Sequence, residues 1–211
     1  MEEKIKKDVQ FALRRREFLK MGLGAGLAAG IPMGIIPMAW TRKAYAQITE
    51  ALEKIPAETR WTITGNALTG MSVGIMTALF DAVGQEKYNE IIKQLMTEGG
   101  GASKQIADNL GLAAVDAKST AETFRTVLLV SMGPEFKFQI VEATAEKAVF
   151  RCTECAWWNR VKELGTAYDL LTVGSSAYTN SFVKSLNPKV TVSRLTGMCV
   201  GDAYCEYVFE L

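Results

Sequence analysis

The apolar period of this chain changes first at Gly133-Pro134, and that change constrains the fold more than any other feature. Up to that point the apolar residues recur at helical spacing; just beyond it they alternate one by one, before helical spacing returns within the C-terminal half. Leu68, Met71, Ile75 and Leu79, widened by Met76, Phe80 and Val83, predict a helix over 65–83. Gly70 and Gly74 lie four apart on it and would admit another helix closely. Tyr88, Ile91, Ile92 and Leu95 predict a second helix over 85–98, ended by Gly99-Gly100-Gly101. A shorter helix is expected over 103–109. Ser119-x-x-Glu122 then reads as a capping box opening a helix that turns Phe124, Val127 and Leu128 inward.

Past the switch, Phe136, Phe138 and Ile140 alternate with Glu135, Lys137 and Gln139. Ala148, Phe150 and Cys152 share one face of a strand over 147–153, and the interval between the two strands suits a hairpin. Helices are predicted over 154–164 and 167–186, the latter stopped by Asn187-Pro188. Strands over 189–196 and 203–211 close the chain. The predicted class is α+β: a helical N-terminal half packed on a four-stranded antiparallel sheet, with a β-β-α-α-β-β C-terminal unit.

The first 46 residues read as a leader. Arg14-Arg15-Arg16-Glu17-Phe18-Leu19-Lys20 resembles a twin-arginine export signal. Residues 21–40 are uncharged, with five glycines and two prolines that make a poor membrane span. Ala44-Tyr45-Ala46 offers a small-x-small cleavage point. The expectation is a signal peptide over 1–46, a single domain over 47–211, and a periplasmic or exported protein that uses the twin-arginine translocase. The alternative is an uncleaved leader acting as an anchor. Nine of the 24 basic and four of the 23 acidic residues fall in the leader, so the rest carries 15 basic against 19 acidic groups. A mildly acidic domain without a basic run has no electrostatic footprint for nucleic acid.

There is no histidine. That excludes mixed Cys/His metal sites, attached c-type haem and a Ser-His-Asp triad, and it turns attention to the four cysteines. Alternation places Cys152 and Cys205 on the helix-covered face of the sheet, Cys205 beside Tyr207 and Phe209. If Thr153 caps the next helix, Cys155 falls in its first turn, where free backbone N–H groups favour a thiolate. Trp157, Val161 and Leu164 would anchor that helix. Cys152, Cys155, Cys199 and Cys205 could alternatively hold zinc or an iron–sulfur cluster, although Cys199-x5-Cys205 matches no recognised spacing. Disulfides are equally open: a two-residue Gly201-Asp202 turn puts Cys199 and Cys205 on opposite faces, and a three-residue turn sets them across from each other. Arg194 shares the apolar face of Val190 and Val192, so it needs an anion, either a ligand carboxylate or an internal partner.

Cys155 before a helix ending in Leu164-Gly165, Asn187-Pro188 before a strand, and the closing Gly201-Asp202-x-x-Cys205-x-Tyr207-x-Phe209 resemble the L-2-amino-thiazoline-4-carboxylic acid hydrolase family. The closing motif also resembles the wider group of cysteine-bearing ligand-binding domains that includes the 4-vinyl reductase domain. The family resemblance implies hydrolytic opening of a cyclic C–N bond without a cofactor. Cys155 would be the nucleophile and Asp202 the proton shuttle, preferred over Glu206, which alternates away. Arg194 would grip the substrate carboxylate, with Cys152 and Cys205 beside the substrate. The other readings are a non-catalytic periplasmic domain binding a small molecule or metal, and an accessory subunit of an exported redox complex. The sequence does not set the oligomeric state.

Overall fold

The computed structural model describes residues 49, 50, 52–166 and 168–211. The leader, its cleavage point and the helix start expected at Ala167 lie outside these residues. Residues 55–211 make a unit by themselves. Its helical part opens with α1, Ala57–Ala102. The break expected between two helices is there, at Gly84, whose φ of 74° and ψ of 168° suit glycine alone. The helix starts eight residues earlier than the apolar stripe suggested, because Pro56 occupies its N-cap and nothing downstream interrupts it.

The glycine triplet does not end α1. Gly100 is buried inside the helix, and a Cβ there would stand 2.4 Å from the Tyr178 carbonyl oxygen. The missing side chain lets α5, Thr172–Leu186, cross α1 closely. Around that crossing the Ser181 hydroxyl donates to the Thr97 carbonyl at 2.6 Å, and the Ser103 and Tyr178 hydroxyls meet at 2.7 Å. At Gly70, by contrast, the nearest foreign atom is Arg160 Cδ at 4.0 Å, and at Gly74 nothing lies within 4 Å. The close approach expected at those two glycines is not made within this chain.

Helix α2 spans Lys104–Asn109 and α3 spans Ala117–Met132. The capping box of α3 lies one turn before the expected one. Asp116 is extended and accepts from the Ser119 N–H at 2.7 Å, while the Ser119 hydroxyl accepts from the Asp116 N–H at 3.1 Å. An aspartate in extended backbone outcompetes the serine as N-cap and makes that serine its third helical residue.

The sheet is as expected: β1 Lys137–Ala143, β2 Lys147–Glu154, β3 Thr191–Thr196 and β4 Cys205–Glu210, all antiparallel in the order β1-β2-β4-β3. On its covered face Phe150 pairs with Tyr207, Ala148 with Phe209, and Cys152 with Cys205. Phe124 of α3 meets Phe150 nearly edge-on at 5.4 Å and Phe209 at 5.6 Å, which docks the helix on the strands. On the other face Arg151 donates to Glu206 at 2.6 Å and lies 4.3 Å over the Tyr204 ring. Between β2 and the Tyr168–Leu171 turn lies α4, Ala156–Leu164, closed by Gly165 in the left-handed region. Val161 is buried, whereas Leu164 is about half exposed and anchors nothing.

Candidate functional site: an apolar cavity walled by thiols

Between the sheet and helices α1, α3, α4 and α5 lies a cavity of about 340 Å³. All four cysteines line it. Cys152 comes from β2 and Cys205 opens β4, directly opposite each other in register, as their strand faces required. Cys199 arrives differently. Strand β3 stops at Thr196, which pairs with Glu206, so neither hairpin register considered for Cys199 forms. Residues Met198–Val200 make a 3-10 turn instead, and it buries Cys199. The four thiols are free. Among the described residues no three His, Cys, Asp or Glu side chains group closely enough to hold a metal ion.

Cys155 is the N-cap of α4, two positions earlier in the helix than the second-residue placement expected from a Thr153 cap. Its sulfur makes no capping bond of regular geometry. A hydrogen bond from Cys152 nevertheless holds the Cys155 pKa below its usual value against the effect of burial, aided by the Trp158 and Trp157 backbone N–H groups. Cys152 is pushed the opposite way, by that same bond to Cys155 and by burial. Of the two, Cys155 is therefore the thiol shifted toward ionisation and Cys152 the one shifted away from it, and the Cys152 Sγ also donates to the Glu154 carbonyl at 3.2 Å. Burial also pushes Cys205 up to about 11, although its sulfur accepts the Met198 N–H at 3.3 Å.

The remaining wall is apolar and aromatic, with Phe138, Phe150, Trp157, Trp158, Tyr178 and Tyr207 prominent. No Asp, Glu, Lys or Arg belongs to it. Arg194 stands one layer behind: its guanidinium donates to the Ser175 hydroxyl at 3.1 Å and to the Cys199 sulfur at 3.6 Å, and both of these residues line the cavity. No carboxylate among the described residues pairs with it. Asp202 is exposed and outside the cavity wall. Its carboxylate accepts the Gly197 N–H at 2.7 Å and so shapes the loop between β3 and β4.

Sequence reasoning missed the part of the wall contributed by α5 and by the methionines Met76, Met96, Met132 and Met198. It also read the tryptophans as anchors only. Trp157 does anchor, donating its indole N–H toward the Met132 sulfur at 3.2 Å, but both rings also line the cavity. Two adjacent helical tryptophans point about 100° apart, so a shared task at a site was the available signal.

These features define an α+β domain, helices over one face of a four-stranded antiparallel sheet, with a thiol-walled apolar cavity between the layers. The chain belongs to the L-2-amino-thiazoline-4-carboxylic acid hydrolase family, whose model matches residues 66–209, more than half of the sequence. No curated protein sequence matches it. Among solved structures, a trafficking protein particle complex subunit 3 from Naegleria fowleri, covalently bound to palmitic acid, shares the fold at 13% identity and a TM-score of 0.50, over 71% of this chain and 95% of that one. The phenol-responsive sensory domain of the transcription activator PoxR, solved with phenol, aligns at 10% identity and a TM-score of 0.48, over 67% of this chain and 73% of that one.

Proposed function

We propose that this member of the family binds an apolar or aromatic small molecule in the cavity, against the Cys152–Cys155 pair, in a chain exported by the twin-arginine route. One observation carries the reading: among the described residues no Asp, Glu, Lys or Arg lines the cavity of about 340 Å³. That volume lies at the small end of ligand pockets, roughly 300–1,000 Å³. A carboxylate enclosed there would lose its hydration without gaining a cation, at a cost of several kcal/mol. A thiazoline carboxylate reaches Arg194 only if Ser175 and Cys199 give way. The fold relative that holds palmitic acid covalently adds support by analogy of fold alone. Export is supported by the arginine motif at 14–20 and the cleavage pattern at Ala46.

A second reading has its own observation, the thiolate-favouring position of Cys155. In it the Cys155 sulfur adds to the C=N carbon of a cyclic amidine, and the Cys152 thiol protonates the ring nitrogen. The ring C–N bond then breaks, the ring nitrogen leaving as an amine with a proton from the exocyclic amino group, whose nitrogen forms the new C=N. Water adds across that C=N, and the carbon–sulfur bond to Cys155 breaks as the added hydroxyl becomes a carbonyl and returns its proton to Cys152, regenerating the pair. Asp202 and Glu206 take no part, the first being held by Gly197 and the second by Arg151.

The two readings separate in one experiment on the full chain. Indole, 1-octanol and L-2-amino-thiazoline-4-carboxylate are each tested for raising Tm, for shielding Cys155 from iodoacetamide at pH 7 and for turnover. Protection by indole or octanol, with none by the thiazoline, is expected. Protection and turnover by the thiazoline, lost in Cys155→Ala, would establish the hydrolase instead.

A further inference from the structure

From Trp61 to Phe80 the chain carries twenty residues without a charge, all within α1. One face of this stretch is spent on the domain itself, burying Thr69, Val73 and Met76. That contact rules out a helix surrounded by lipid. The opposite face is left bare: Trp61, Leu68, Met71 and Ile75 are 37%, 39%, 61% and 60% exposed. Large apolar side chains this exposed, side by side on one helix, mark a contact surface.

The spacing on that face says what kind. Trp61, Thr64, Leu68, Met71, Ile75, Ala78 and Ala82 follow one another at alternating intervals of three and four. This is the seam of a helix that pairs with another helix. The seam is also complementary to itself when reversed about Met71. Met71 then faces its own copy and Thr64 lies level with Ala78, while Leu68 falls within one residue of Ile75 and Trp61 within one residue of Ala82, about 1.5 Å of rise in each case. The largest side chain meets one of the smallest, as close packing requires.

Beside the seam, on its solvent side, runs a second row seven residues apart: Arg60, Ala67, Gly74 and Asp81, all exposed. Reversal brings Arg60 within one residue of Asp81 of the other helix, and Ala67 within one residue of Gly74, where nothing among the described residues lies within 4 Å. Parallel pairing would bring Arg60 to Arg60 and Asp81 to Asp81. Among the described residues neither charge has an ion-pair partner within the chain. Positions flanking a seam are where charges select partner and direction.

We propose that this face of α1 docks, antiparallel, on the same face of a second copy of this chain, with the two-fold axis at Met71. The docking bears on the site whatever its occupant. Leu68 belongs to the seam and to the cavity wall, and it and Gly99 are the exposed members of that wall. A second copy therefore covers the cavity at Leu68.

Sedimentation of the full chain tests the proposal, with an expected mass twice its 23.1 kDa. Met71→Glu sets two like charges at the axis and is expected to raise the dimer Kd a hundredfold or more. Arg60→Asp alone and Asp81→Arg alone should each raise it about threefold to tenfold, and the double swap should restore it. With a short bis-maleimide, Met71→Cys should link two chains well above the wild-type background, and Ile63→Cys, eight residues from the axis and so about 24 Å along the helix from its copy, should not. A chain that stays monomeric to about 100 µM, a dimer indifferent to these substitutions, or equal linking at both cysteines would each overturn the proposal. So would a monomer that binds phosphatidylglycerol vesicles through this face and loses them with Met71→Glu, since a lipid surface would then be the occupant.

Discussion

The two sides of the cavity are built differently. Under the sheet, Phe124, Phe150, Phe182 and Phe209 are all essentially inaccessible and hold one another at ring distances near 5.4–6.3 Å. On the helical side a separate cluster of Val73, Met76, Tyr88, Ile92, Val161, Leu170 and Leu171 closes around α1, and Trp157 and Trp158 pack against both clusters. Interlocked rings admit few alternative arrangements, so the sheet side fixes Cys152 and Cys205 in place. Methionines adapt their shape at little cost; Met76 and Met96 sit on the helical side, and Met132 and Met198 pack with the sheet-side cluster. The cavity thus has one wall of interlocked rings that carries the paired thiols, with methionines on both sides to accommodate the occupant.

Three substitutions sharpen or break this contrast. Phe150→Ala removes the ring at the centre of the rigid wall and should cost about 3–5 kcal/mol of unfolding free energy in urea titration. A loss under about 2 kcal/mol would mean that wall is not rigid. On the helical side the Tyr88 hydroxyl donates to the Leu170 carbonyl at 2.7 Å, both residues being fully buried. Tyr88→Phe strands that carbonyl and should cost about 1–3 kcal/mol. Hydrogen exchange should show the loss falling on α1 and the 168–171 turn more than on the strands; an even spread would merge the two clusters into one.

The smallest effect concerns pH. Burial in the folded state raises the Cys205 pKa to about 11 from its ordinary value of 9.0, so the folded protein prefers the thiol. Its stabilisation is complete below about pH 9 and is lost as pH rises through about 11. Between those values the wild type should lose more stability than Cys205→Ala, measured by urea midpoints at matched pH. Equal slopes would place the Cys205 sulfur in water.

Particular residues show how far the sequence reached. The changes of apolar period located the helical half and all four strands, because side-chain spacing on a helix or a strand is set by the backbone alone. The inward faces of Cys152, Cys205, Tyr207 and Phe209 followed from the same rule. It failed where a residue's role is set by what packs against it. Gly99-Gly100-Gly101 reads as a helix end by propensity, yet α5 needs the bare backbone at Gly100. Ser119 reads as a cap, yet Asp116 one turn earlier competes for the same N–H groups. Asp202 and Arg194 carry the charges a reaction wants, but a loop claims one and the layer behind the wall claims the other.

By itself, then, the sequence determined the α+β class, the strand directions, the absence of imidazole chemistry and the uncharged seam along α1, all consequences of local spacing and composition. Only the tertiary structure decided that the four thiols share one cavity, that Cys155 is the N-cap of α4 with Cys152 as its neighbour, and that no Asp, Glu, Lys or Arg among the described residues reaches the wall. Those facts depend on how segments some fifty residues apart close over one another, as Cys152 and Cys205 do across β2 and β4. Such long-range packing leaves no period in the chain to read.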